Sequence, residues 1–86
     1  MSKKSIGLTY YKNKIKVTPK SQLLTQLRDA PISDKDYNFM IEVLSGSSYS
    51  ELARTFQKSE ARIYQWKRTL FQKLYEYDIS SMSAVR

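Results

Sequence analysis

The stretch Ser48–Arg68, SYSELARTFQKSEARIYQWKR, decides how the chain is read. Two short amphipathic helices are written into it, one from Tyr49 to about Phe56 and one beginning after Ser59. Ser48 sits where the first helix leaves backbone N–H groups without partners, and its hydroxyl can accept from one of them. Glu51, three residues on, completes a Ser-x-x-Glu capping box. Ser59 caps the second helix in the same way. Leu52, Ala53 and Phe56 share a face of the first helix, and Ile63, Trp66 and Leu70 share a face of the second. Two such faces meeting across a turn of a few residues form a helix-turn-helix.

Upstream, the punctuation is equally local. Gly46 is a natural helix stop, able to take the left-handed backbone that closes a C-terminus. Before it, Tyr37, Met40, Ile41 and Leu44 recur at helical spacing. Ser33-Asp34-Lys35-Asp36 opens that helix, its two carboxylates suited to the positive end of the helix dipole. Thr18-Pro19 reads as an earlier start, with threonine as cap and proline in the first helical position. Leu23, Leu24 and Leu27 give this helix its apolar face, and Pro31 ends it near Asp29. The first residues are ambiguous. Leu8-Thr9-Tyr10-Tyr11 and Ile15-Lys16-Val17-Thr18 favour strands, with Lys12-Asn13-Lys14 as a turn, so residues 1–17 are either a small hairpin or a mobile basic arm. Downstream, Leu74 and Phe71 extend the stripe of the last helix, and the Ser-rich residues 79–86 read as a flexible tail.

The expectation is an all-α domain of about four helices over residues 18–78, preceded by the basic arm. Its expected core is Leu24, Leu27, Met40, Ile41, Leu44, Leu52, Ala53, Phe56, Ile63, Trp66 and Leu70. Tyr37 and Tyr49 are expected to be half-buried.

Composition narrows the function. Eighty-six residues make one small domain, marginally stable unless tightly helical or dimeric, so a homodimer stays open. With neither cysteine nor histidine, the chain has no disulfide framework, no thiolate metal site and no imidazole for acid–base work. Only Gly7 and Gly46 are glycines, too few for a phosphate-cradling loop. We therefore expect no enzyme, no cofactor and no metal. No apolar run is long enough for a membrane span or a signal peptide, which points to a cytoplasmic protein. The net charge of +7 favours a polyanionic partner, and nucleic acid before an acidic membrane or protein. The charge is also uneven. Residues 1–20 carry Lys3, Lys4, Lys12, Lys14, Lys16 and Lys20 and no acid, residues 21–56 lean acidic, and Lys58, Arg62, Lys67 and Arg68 return on and beside the second helix of the motif.

At Gly46-Ser47-Ser48-Tyr49-Ser50-Glu51-Leu52-Ala53, with Phe56, Ser59-Glu60, Ile63 and Trp66, the chain resembles the helix-turn-helix of bacterial sigma factors, in their promoter-reading C-terminal region. Ser59-Glu60-Ala61-Arg62-Ile63-Tyr64-Gln65-Trp66-Lys67-Arg68 is similar to the recognition helix of phage terminase small subunits and of transposases. The resemblance covers roughly residues 33–74. It implies a small, sigma-like, phage-encoded transcriptional regulator that binds double-stranded DNA. A packaging or recombination subunit is the alternative, and a module that binds RNA polymerase or another regulator is the alternative of another class. Gln57 and Lys58 depart from the pattern, which has glycine and then an apolar residue, and so predict a longer or looser turn.

The second helix of the motif places its N-terminal half in the major groove in this kind of unit. Arg62 and Gln65 lie three apart, away from the apolar stripe, and suit guanine and adenine edges respectively. Lys67 and Arg68 follow as phosphate contacts, with Lys58 in the turn and Lys12, Lys14 and Lys16 on the arm. Tyr64 faces away from the core and is a further DNA contact. Ser59, Glu60 and Ala61 form the leading end, where the Ser59 hydroxyl could also donate to a phosphate. Trp66, at core spacing, is expected inside rather than stacked on a base.

Overall fold

The computed structural model describes the backbone of residues 3–84 and the side chains of residues 6–80. Five helices follow one another: α1 (Lys3–Val17), α2 (Lys20–Asp29), α3 (Asp34–Leu44), α4 (Tyr49–Phe56) and α5 (Glu60–Ala84). No strand occurs among the described residues.

The helix-turn-helix forms as its caps require. The Ser48 hydroxyl accepts from the Glu51 N–H at 3.2 Å, and the Glu51 carboxylate accepts from the Ser48 N–H at 2.8 Å, closing the capping box of α4. The Ser59 hydroxyl accepts from the Arg62 N–H at 3.2 Å and starts α5. Ser33 does the same for α3 through the Asp36 N–H. At the end of α3, Gly46 takes φ 91°, and the Gly46 and Ser47 N–H groups reach back to Val43 and Glu42.

The turn between α4 and α5 is short and closed by hydrogen bonds, not long or loose as expected. Gln57 itself adopts the left-handed conformation, φ 56° and ψ 50°, where glycine is usual. Its N–H reaches the Arg54 carbonyl, and the Lys58 N–H donates to the Ala53 carbonyl at 2.9 Å. A side chain in that conformation costs about 1–2 kcal/mol. The two closing hydrogen bonds and the packing of Leu52, Phe56 and Ile63 into one core hold it there.

Three further expectations are corrected. Pro19 is the cap of α2 rather than its first residue, with its carbonyl accepting from the Leu23 N–H at 3.0 Å. Residues 79–84, expected as a frayed tail, continue α5, while residues 85–86 lie outside the described residues. The N-terminal segment is a helix, neither hairpin nor loose arm, although its residues 1–2 also lie outside the described ones. Its β-prone residues are overruled by tertiary contacts. Tyr11 is 2% exposed and packs on Phe71, ring centroids 5.1 Å apart. The Gly7 N–H donates to the Gln72 side chain at 3.0 Å, and a Cβ on Gly7 would lie 2.6 Å from the Gln72 Cα. Gly7 thus permits backbone-to-backbone approach. The Tyr10 hydroxyl donates to Asp78, with which Lys14 forms an ion pair. Gly7 meets Gln72, Tyr11 meets Phe71 and Lys14 meets Asp78, so α1 packs against α5.

The core is centred on Phe39, which is fully buried, stacks on Trp66 (4.1 Å, 21°) and meets Phe56 at 5.6 Å. Leu27, Met40, Leu52, Ile63 and Leu70 are buried as expected, with Leu24, Leu44, Ala53, Phe56 and Trp66 packed against them. Tyr11, Leu23, Ala30, Phe39, Phe71 and Leu74 complete the buried set. Ile41 is only half-buried, because the inward face of α3 is rotated onto Phe39 and Met40.

Candidate nucleic-acid interface

Trp66 and Lys67 are consecutive on α5 and leave it on opposite flanks. On the first flank, the Trp66 indole N–H donates to Asp36 at 2.8 Å, tying α5 to the first turn of α3. Lys35 and Lys58 bring their ammonium groups over the Trp66 ring, 5.6 and 5.9 Å from its centroid. A cation at that distance over an indole is attracted to the negative face of the ring. Arg62, Gln65 and Thr69 complete the wall of an open groove of about 370 Å³. The two residues expected at base edges, Arg62 and Gln65, are thus exposed, side by side, and accompanied by Lys58. Ser59, Glu60 and Ala61 are exposed at the leading end of α5. Lys35 was not foreseen as part of this set. Between Asp34 and Asp36 it reads only as part of a helix start, and its approach to Trp66 depends on how α3 crosses α5.

The second flank differs in chemistry. Lys67 is half-buried, with its ammonium group 5.1 Å from the Tyr49 ring and 5.5 Å from the Phe71 ring. It donates a long hydrogen bond, 3.4 Å, to the Tyr49 hydroxyl. Burial pulls the Lys67 pKa below that of an ordinary lysine, an effect partly countered by Tyr64. Lys12 and Lys16, both exposed on α1, line a groove of about 410 Å³ with Lys67 above Ile15, Val43 and Phe71. Tyr64, 40% exposed, meets Tyr49 edge-on at 6.1 Å and joins this flank to the outer face of α5.

The basic residues named from the sequence therefore do not form one surface. Lys58 and Arg62 gather on the Trp66 flank, and Lys12, Lys16 and Lys67 on the other. Lys14 is engaged with Asp78, and Arg68 is half-buried on α5. Removing residues 1–16 would also remove Tyr11 from the core, so the charge of α1 has to be probed by point substitution.

No group of three or more histidine, cysteine, aspartate or glutamate side chains among the described residues could hold a metal ion. No described helix is long and apolar enough to cross a membrane. No protein-family model, curated protein or solved structure matches the chain.

Proposed function

We propose that this chain is a sequence-specific double-stranded DNA-binding protein, a small cytoplasmic transcriptional regulator that places the N-terminal half of α5 in the major groove. The observation that carries the reading is the pairing of Arg62 and Gln65 on an exposed groove edge, with Lys58 and Lys35 beside them. Arg62 can donate two hydrogen bonds to a guanine, and Gln65 can pair with the donor and acceptor of an adenine. Lys58 and Lys35 stand where the groove edge gives way to backbone, and act on phosphates without reading sequence. A DNA-recognition subunit of a packaging or recombination machine would use the same contacts and differ in its protein partner.

Binding to a selected duplex and to its scrambled counterpart tests the reading. Arg62→Ala or Gln65→Ala should cost about 1–3 kcal/mol on the selected duplex and relax preference at one or two base pairs. Lys58→Ala should weaken both duplexes alike and reduce the slope of log affinity against log salt by about 0.9. Equal losses on both duplexes for the Arg62 and Gln65 variants would show that α5 does not read sequence.

A further inference from the structure

The flank around Lys67 is poorly suited to a duplex. Its cation is half-buried against the Tyr49 and Phe71 rings, whereas the phosphates of B-form DNA stand on the water-exposed outside of the duplex. Its floor is apolar, and a phosphodiester gains nothing there. An acidic amino-acid side chain differs on both counts. It can reach into a groove, and its neighbours in a peptide can be apolar.

We propose that the groove walled by Lys12, Lys16 and Lys67 over Ile15, Val43 and Phe71 docks a segment of a partner protein that carries a carboxylate beside large apolar side chains. Charge complementarity identifies the occupant: the three ionisable side chains lining the groove are all lysines. Among the described residues, the partners of Lys67 are the Tyr49 hydroxyl and two aromatic rings, with no carboxylate. A cation desolvated in this way lacks a counter-ion, and a carboxylate laid against it recovers much of the desolvation cost. The groove has room for more than one side chain. A second hollow of about 300 Å³ shares Val43 and Lys67 with it and runs on to Ser47, Ser48 and Tyr49. The site does not involve Arg62 or Gln65, so a partner held here leaves the Trp66 flank open. The inference therefore stands apart from the DNA reading.

Selection of displayed random dodecapeptides on the full chain tests it. The expected winners carry aspartate or glutamate next to leucine, isoleucine, phenylalanine or methionine. A synthetic winner should bind Lys67→Met at least about tenfold more weakly than the parent and bind Arg62→Ala unchanged. Lys12→Glu combined with Lys16→Glu, both at exposed positions where folding is not at stake, should weaken it as well. A short DNA duplex added in excess should leave the peptide bound. The proposal is overturned if no peptide is enriched, if the winners lack acids, if the lysine variants bind as the parent does, or if the duplex displaces the peptide. That last outcome would assign the groove to the DNA-contacting surface.

Discussion

The two flanks of α5 hold similar charges in opposite settings. On the Trp66 side the aromatic ring is packed on Phe39, with the exposed Lys35 and the half-buried Lys58 over its face. On the Lys67 side the order is reversed: the cation is half-buried between the Tyr49 and Phe71 rings, above an apolar floor. A cation outside an aromatic ring keeps most of its water and acts at a distance, which suits a polyanion. A cation held inward has lost water and rewards one close, well-placed anion. Counting lysines would treat the two flanks as equivalent, and their surroundings separate them.

The largest expected effect is on the foundation of the Trp66 flank. Phe39→Ala removes the fully buried ring on which Trp66 stacks and should cost about 3–5 kcal/mol, much of what a domain of this size has. Trp66 emission should shift to the red as the flank loosens. A loss below about 1 kcal/mol in denaturant unfolding would mean that Phe39 does not centre the core.

Next comes the wall that α1 supplies to the other flank. Gly7→Ala improves helix propensity by about 1 kcal/mol, but its methyl group meets the Gln72 backbone. Overpacking of about 1–3 kcal/mol should win, so the variant should be less stable and should release the peptide while keeping DNA affinity. A more stable Gly7→Ala would show that α1 does not pack on α5 at that distance.

Ser48→Ala has a smaller effect. It removes one arm of the capping box at the rim of the Lys67 hollow and should lower stability by about 1 kcal/mol, seen as a lower denaturant midpoint at unchanged slope.

The smallest effect is the most diagnostic. Burial places the folded pKa of Lys67 below its unfolded value, so the folded state carries a penalty wherever the amine is protonated. That penalty is complete at neutral pH and fades as pH rises through the folded value toward that of an ordinary lysine. Lys67→Met, which keeps the stem, should therefore melt at or above the parent temperature at pH 7, with the difference shrinking in alkali. A clear drop in melting temperature at pH 7 would show that the cation stabilises the fold, and the contrast between the flanks would fail.

What the sequence determined by itself is what one turn of chain can satisfy. Ser33, Ser48 with Glu51, and Ser59 cap helices through bonds to residues three positions away, and Gly46 closes α3 through its own backbone. Such interactions need no distant partner, so the boundaries of α3 and α4 and the start of α5 were legible. So was the pairing of Arg62 with Gln65, which helical periodicity alone puts on one side. The tertiary structure decided the rest. Leu8–Tyr11 and Ile15–Thr18 favour strands locally, and α1 exists because Gly7 and Tyr11 find Gln72 and Phe71 some sixty residues away. Gln57 takes a glycine's conformation because the two helices it joins are locked in one core. Lys35 joins the Trp66 flank and Lys67 turns inward because of how α3, α4 and α1 cross α5. A residue's charge is written in the chain, but the water it keeps or loses is set by neighbours that only folding supplies.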